Sequence, residues 1–63
     1  MNDYSIAQKS LQEERKAVKD YQDRLKIAKT AKLKHALNHA LGEEKEHAKM
    51  FSEAVVNKAR SMV

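Results

Sequence analysis

LNHALGEEKEHAKMFSEA, residues 37–54, decides the fold. Leu37, Ala40, Phe51 and Ala54 recur in alternating steps of three and four, the spacing of one stripe along a helix packed lengthwise against another. Extended backward the stripe takes in Leu33, and Leu41, Ala48, Val55 and Met62 beside it widen it into a core-facing band. Two consecutive places in the stripe are polar. Where leucine or alanine is expected stand Glu44 and His47, three residues apart.

Upstream, the same rhythm runs through Tyr4, Ala7, Leu11, Val18, Tyr21, Leu25 and Ala28, and it too is interrupted once, by Glu14. Near Thr30 the pattern loses phase. Thr30 is a suitable N-cap for a helix starting at Ala31. The whole chain, 1–63, thus predicts one helical hairpin, with helix 1 at about 3–28, a turn at about 29–30 and helix 2 at about 31–61. A short turn makes the two helices antiparallel neighbours.

Composition agrees. There is no proline and one glycine, Gly42, while Ala, Lys, Leu, Glu, Gln and Arg abound, so the expected class is all-α. Gly42 costs about 1 kcal/mol relative to alanine inside a helix, which suggests a close backbone approach there. With 63 residues and no cysteine, the chain is short of core and has no disulfide to compensate, leaving metal binding or self-association as stabilisers. The band on helix 2 is broader than one partner helix needs. Two hairpins related by a two-fold axis, forming a four-helix bundle, are the economical completion.

Glu14 lies about 15 residues before the turn and Glu44 about 14 after it, so antiparallel pairing sets both near 21–23 Å along the axis. A buried carboxylate without a partner costs several kcal/mol, and no seam lysine or arginine lies at that level. A metal ion would neutralise the pair, with His47 supplying a nitrogen donor from the same helix face as Glu44. Two-fold symmetry turns Glu14, Glu44 and His47 into four carboxylates and two imidazoles. That set matches the ligands described for ferritin-like di-iron proteins, a glutamate from each of two helices and Glu-x-x-His from each of the others.

The stretches EERKAVKDYQDR (13–24) and HALGEEKEHAKMF (39–51) resemble the paired helices of the ferritin-like superfamily, particularly rubrerythrin-like proteins and the encapsulated ferritins that carry one helix pair per chain. The resemblance spans roughly residues 8–56. It implies a di-iron centre at a dimer interface, two Fe per dimer, with Glu14, Glu44 and His47 as metal ligands and catalytic residues in Fe(II) oxidation by dioxygen or peroxide. It also implies that Tyr21, seven residues beyond Glu14, acts as a hydrogen-bond donor to a bridging carboxylate of the partner chain. Mn and Zn accept the same ligands. Encapsulated ferritins continue into a further helix and a docking tail, whereas this sequence ends at Val63, so docking into a protein shell is not expected. The implied activity is ferroxidase-type oxidoreduction serving iron detoxification, with peroxide reduction open to the same site.

Two readings compete with it. A polar seam can fix helix register with no metal at all, giving a non-enzymatic assembly. The cluster Arg24, Lys26, Lys29, Lys32 and Lys34 around the turn, within a formal charge of +4, could make the hairpin a basic binding module. No aromatic residues are interleaved with these lysines as stacking platforms would require, so nucleic acid is not expected as a partner. Glu13, Glu43, Glu46 and Glu53 read as solvated, with Glu43 placed to orient the His47 imidazole; His35 and His39 read as outward-facing rather than as a metal pair, and Phe51, Met50 and Met62 as core or dimer contacts. No apolar run approaches a membrane span and no secretory leader is apparent, so a cytoplasmic homo-oligomer is expected.

Overall fold

The computed structural model describes the backbone of residues 2–61 and the side chains of residues 2–57. It contains two helices, α1 (Asp3–Ile27) and α2 (Ala31–Ser61), packed against each other along a rod of 49 × 15 × 14 Å. The class is all-α, and among the described residues there are no strands.

Local chemistry sets each helix end. Asn2 caps α1, its Oδ1 accepting from the Ser5 amide at 2.8 Å, and Asp3 in the first turn complements the positive end of the helix dipole. Arg24 and Lys26 lie at the opposite, carbonyl-rich end. The chain leaves the helix at Ala28, whose backbone is extended (φ −67°, ψ 137°) while its N–H still donates to the Arg24 carbonyl. Thr30 then caps α2 through Oγ1, which accepts from the Leu33 amide at 3.2 Å, and its carbonyl receives the Lys34 amide at 3.0 Å.

Among the described residues the buried interior is two leucines, Leu11 from α1 and Leu41 from α2, 8% and 9% exposed. On α1 the expected stripe faces the partner helix: Tyr4, Ala7, Glu14, Val18, Tyr21, Leu25 and Ala28 are all half-buried around Leu11. On α2 the line of closest packing is turned from the expected one. Leu37, Ala40, Leu41, Glu44, Ala48, Phe51 and Val55 are covered, whereas Leu33, His47 and Ala54 are exposed. One partner helix reaches only part of a broad stripe, so the residues the three-four rhythm puts at its centre fall on its edge. Met50, expected as a core or dimer contact, is 64% exposed in the hairpin and so is not part of its core; Met62 lies outside the described residues.

Gly42 corrects a second expectation. A Cβ added there would meet nothing within 4 Å, so no close backbone approach within the hairpin explains the glycine. Gly42→Ala should therefore stabilise the protein by about 1 kcal/mol through helix propensity alone, read as a higher urea midpoint at unchanged m-value. Leu11→Ala should remove about 2–5 kcal/mol, because that side chain is half of the interior; a loss under 1 kcal/mol would show that the interface packs elsewhere.

Candidate metal centre

Glu14 reaches the site from the middle of α1 and Glu44 and His47 from the middle of α2, at the level where antiparallel pairing aligns them. One donor atom from each lies within 4.8 Å of the other two. His47 Nδ1 is 3.7 Å from Glu14 Oε2 and 3.8 Å from Glu44 Oε2. These separations are too long for hydrogen bonds. They suit atoms arranged around a common ion, since bonds of about 2.0–2.2 Å to one metal leave its ligand atoms about 3–4 Å apart.

The two carboxylates are mostly covered, with side chains 22% and 23% exposed, while the imidazole is 48% exposed. Glu14 Oε2 is buried with no hydrogen-bond partner. A buried carboxylate oxygen left bare is costly, and it is the feature of the hairpin that most requires something further. Three ligands come from one chain, and the exposed flank of His47 shows that the cluster opens at the side of the hairpin rather than being enclosed between its helices.

The electrostatics carry the same message. The pKa of Glu14 is raised, first because the Glu44 carboxyl is within hydrogen-bonding reach and a shared proton favours the neutral form, then by desolvation and by the Glu44 charge; His47 opposes this and Glu13 adds slightly to it. Glu14 thus resists ionising in the hairpin.

The surrounding residues sort differently from expectation. Glu43 does not orient His47: its Oε1 lies 2.8 Å from His39 Nε2, one turn back along α2. Spacing alone could not choose, since His39 and His47 are each four residues from Glu43, but His47 is turned toward Glu14. Tyr21 is half-buried on the α1 stripe, and the Arg24 guanidinium lies 5.2 Å from the centre of its ring. That contact was not foreseen, although the i, i+3 spacing that produces it is visible in the sequence.

The family model described as EncFtn-like matches residues 1–62. The chain belongs to the EncFtn-like family. This is an encapsulated-ferritin-like, half-ferritin family, in which one helix pair per chain implies association of chains. No curated protein and no solved structure matches the chain. Membership suggests a ferritin-like, iron-related function, and Glu14, Glu44 and His47 form the candidate metal-binding group of this EncFtn-like chain. No helix among the described residues is long and apolar enough to cross a membrane.

Because the folded pKa of Glu14 lies above its unfolded value, its protonation stabilises the metal-free hairpin at pH below the unfolded carboxyl value, and that contribution is lost as pH rises through the folded value. Glu14→Gln, which keeps a hydrogen-bonding side chain without the charge, should therefore raise the melting temperature of the metal-free protein at neutral pH. The difference should vanish near pH 4 or below, where Glu14 itself is protonated. Parallel melting curves for the two proteins across that range would show that the carboxylates do not strain each other.

Proposed function

We propose that two hairpins associate through the side bearing Glu14, Glu44 and His47, and that the paired clusters form a dinuclear centre that oxidises Fe(II). The observation that carries this reading is the buried, partnerless Oε2 of Glu14, 3.7 Å from an imidazole nitrogen at the open edge of the hairpin. A polar seam that merely fixed register would close the imidazole onto a carboxylate, and the His47 separations of 3.7 and 3.8 Å do not.

The side in question has the character of an interface. Leu33 and Ile6, 49% and 47% exposed, flank the cluster toward opposite ends of the rod. An open apolar groove of about 300 Å³, lined by Arg24, Ile27, Ala28, Leu33 and Leu37, continues it to the turn. A chain whose described residues bury only Leu11 and Leu41 gains most by covering such a surface with a second copy.

In the dimer, Glu14 and Glu44 would each supply carboxylate oxygens and His47 a nitrogen, six side chains in all for two ions. Four carboxylates would balance the charge of two divalent ions and offset the desolvation and the Glu44 charge that help raise the Glu14 pKa. Fe(II) is the substrate and gives up an electron to dioxygen or peroxide. The chain's part is to hold the two ions close, to keep the carboxylates ionised once ions are bound, and to leave an approach for the oxidant. Tyr21, held against Arg24, is the side chain we place next to the carboxylates of the partner chain. Detoxification of ferrous iron is the simplest physiological role, and Mn or Zn would compete for the same donors.

Elemental analysis at a known oligomeric mass should find about one metal per chain, two per dimer. Glu44→Ala and His47→Ala should each abolish ferrous oxidation and lower bound iron at least tenfold, with helicity by circular dichroism largely kept. Unchanged iron content in both variants would remove these residues from the site.

A further inference from the structure

The two helices carry one short pattern twice. Leu11 is followed by Glu14, Arg15 and Lys19, and Leu41 by Glu44, Lys45 and Lys49, at identical offsets of three, four and eight residues. Successive residues advance about 100° around an α-helix. Offsets of four and eight therefore place a cation about 40° and 80° to one side of the buried leucine, while the offset of three sends the glutamate about 60° to the other. Both helices are right-handed and they run antiparallel, so the same rotation away from their contact line leads to the same broad side of the hairpin. The cations of both helices meet on one side and the metal cluster on the other.

Lys26 and Lys34, near the turn, lie about 60° and 20° to the cationic side of those leucines. Six cations thus share this face: Arg15, Lys19, Lys26, Lys34, Lys45 and Lys49, all exposed. The same geometry sets Asp23 and Glu53 about 120° and Glu46 about 140° to the cationic side, at its outer edge, and turns the other described carboxylates toward the cluster side or the backs of the helices. Among the described residues Lys26 alone of the six pairs with one, 3.8 Å from Asp23. Formal charge of +4 for the chain is therefore an average over two unlike sides.

We propose that this face binds the phosphodiester backbone of duplex nucleic acid without regard to sequence. A protein partner would need an apolar centre, and interface centres are depleted in lysine; between the cations here stand Gln8, Gln22 and Asn38, with one exposed large apolar side chain, Val56, toward the open end. The absence of interleaved aromatics argues against stacking on single strands and leaves backbone contact untouched. Arg15 to Lys26 and Lys34 to Lys49 span about 16 and 22 Å at 1.5 Å per residue, matching a stretch of about five to seven base pairs. The inference does not depend on the metal centre, which lies on the opposite side.

The test is fluorescence anisotropy of the native full chain with a random-sequence duplex over about 0.05–0.2 M salt. If all six cations meet phosphates, log K should fall against log salt with a slope of about −5. Replacing Arg15, Lys19, Lys45 and Lys49 together by glutamine should weaken binding at least tenfold more than replacing Lys9, Lys16, Lys29 and Lys32, and should shrink the slope by about three to four. Circular dichroism of both variants confirms that the helices persist. Equal losses in the two variants would reduce the effect to net charge and overturn the proposal. Absence of duplex binding at the lowest salt would overturn it as well, and tighter binding of inorganic polyphosphate than of duplex would reassign the face to that anion.

Discussion

Two helices can cover each other along only one line, and in a hairpin of this length that line ends up enclosing little more than Leu11 and Leu41. The rest of the structure follows from this shortage. A third or fourth helix in the same chain would bury the flanks of the stripe, give Glu14 Oε2 a neighbour and close the groove beside Leu33. Within the helix pair described, those surfaces stay open. The carboxylate cluster is the costliest of them, because desolvation acts on it already in the single hairpin while compensation does not.

Coupling between assembly and metal follows from that cost. Covering Glu14, Glu44 and His47 with a second apolar surface and no ion would deepen the desolvation of four carboxylates at once. Placing ions among fully exposed carboxylates would gain less, because water competes for both partners. Under the proposed function, association and metal binding would therefore favour each other.

Much of this was legible in the sequence, and the parts that were not share a cause. Hydropathy spacing located both helices, Thr30 announced the second, and the intrusion of Glu14, Glu44 and His47 into the stripes marked the residues that the structure brings within 4.8 Å of one another. Rotation about the helix axis was not legible. The three-four rhythm of α2 is wide enough to admit two packing lines, one through Leu33, His47 and Ala54 and one through Leu41, Ala48 and Val55, and only the partner helix selects between them. The same ambiguity assigned Glu43 to His47 rather than His39, since a residue has neighbours four positions away in both directions. Gly42 was read as a point of close approach because a helix glycine has a cost that invites a reason; within the hairpin no such reason exists.

The repeated offsets around Leu11 and Leu41 show how one pattern sorts charge. Glutamate three residues after the buried leucine and cations four and eight after it are neighbours in sequence, yet they turn to opposite sides of the contact line. Had the helices run parallel, equal rotations would have led to opposite sides of the pair, and each side would have carried one carboxylate and one run of cations. Antiparallel pairing instead collects the carboxylates with His47 on one side and the lysines on the other. The separation bears directly on the candidate metal group: an ammonium group at the level of Glu14 would neutralise the carboxylates by itself and leave little for an ion to do, and the rotation that sends Arg15 and Lys45 away keeps that charge unmet.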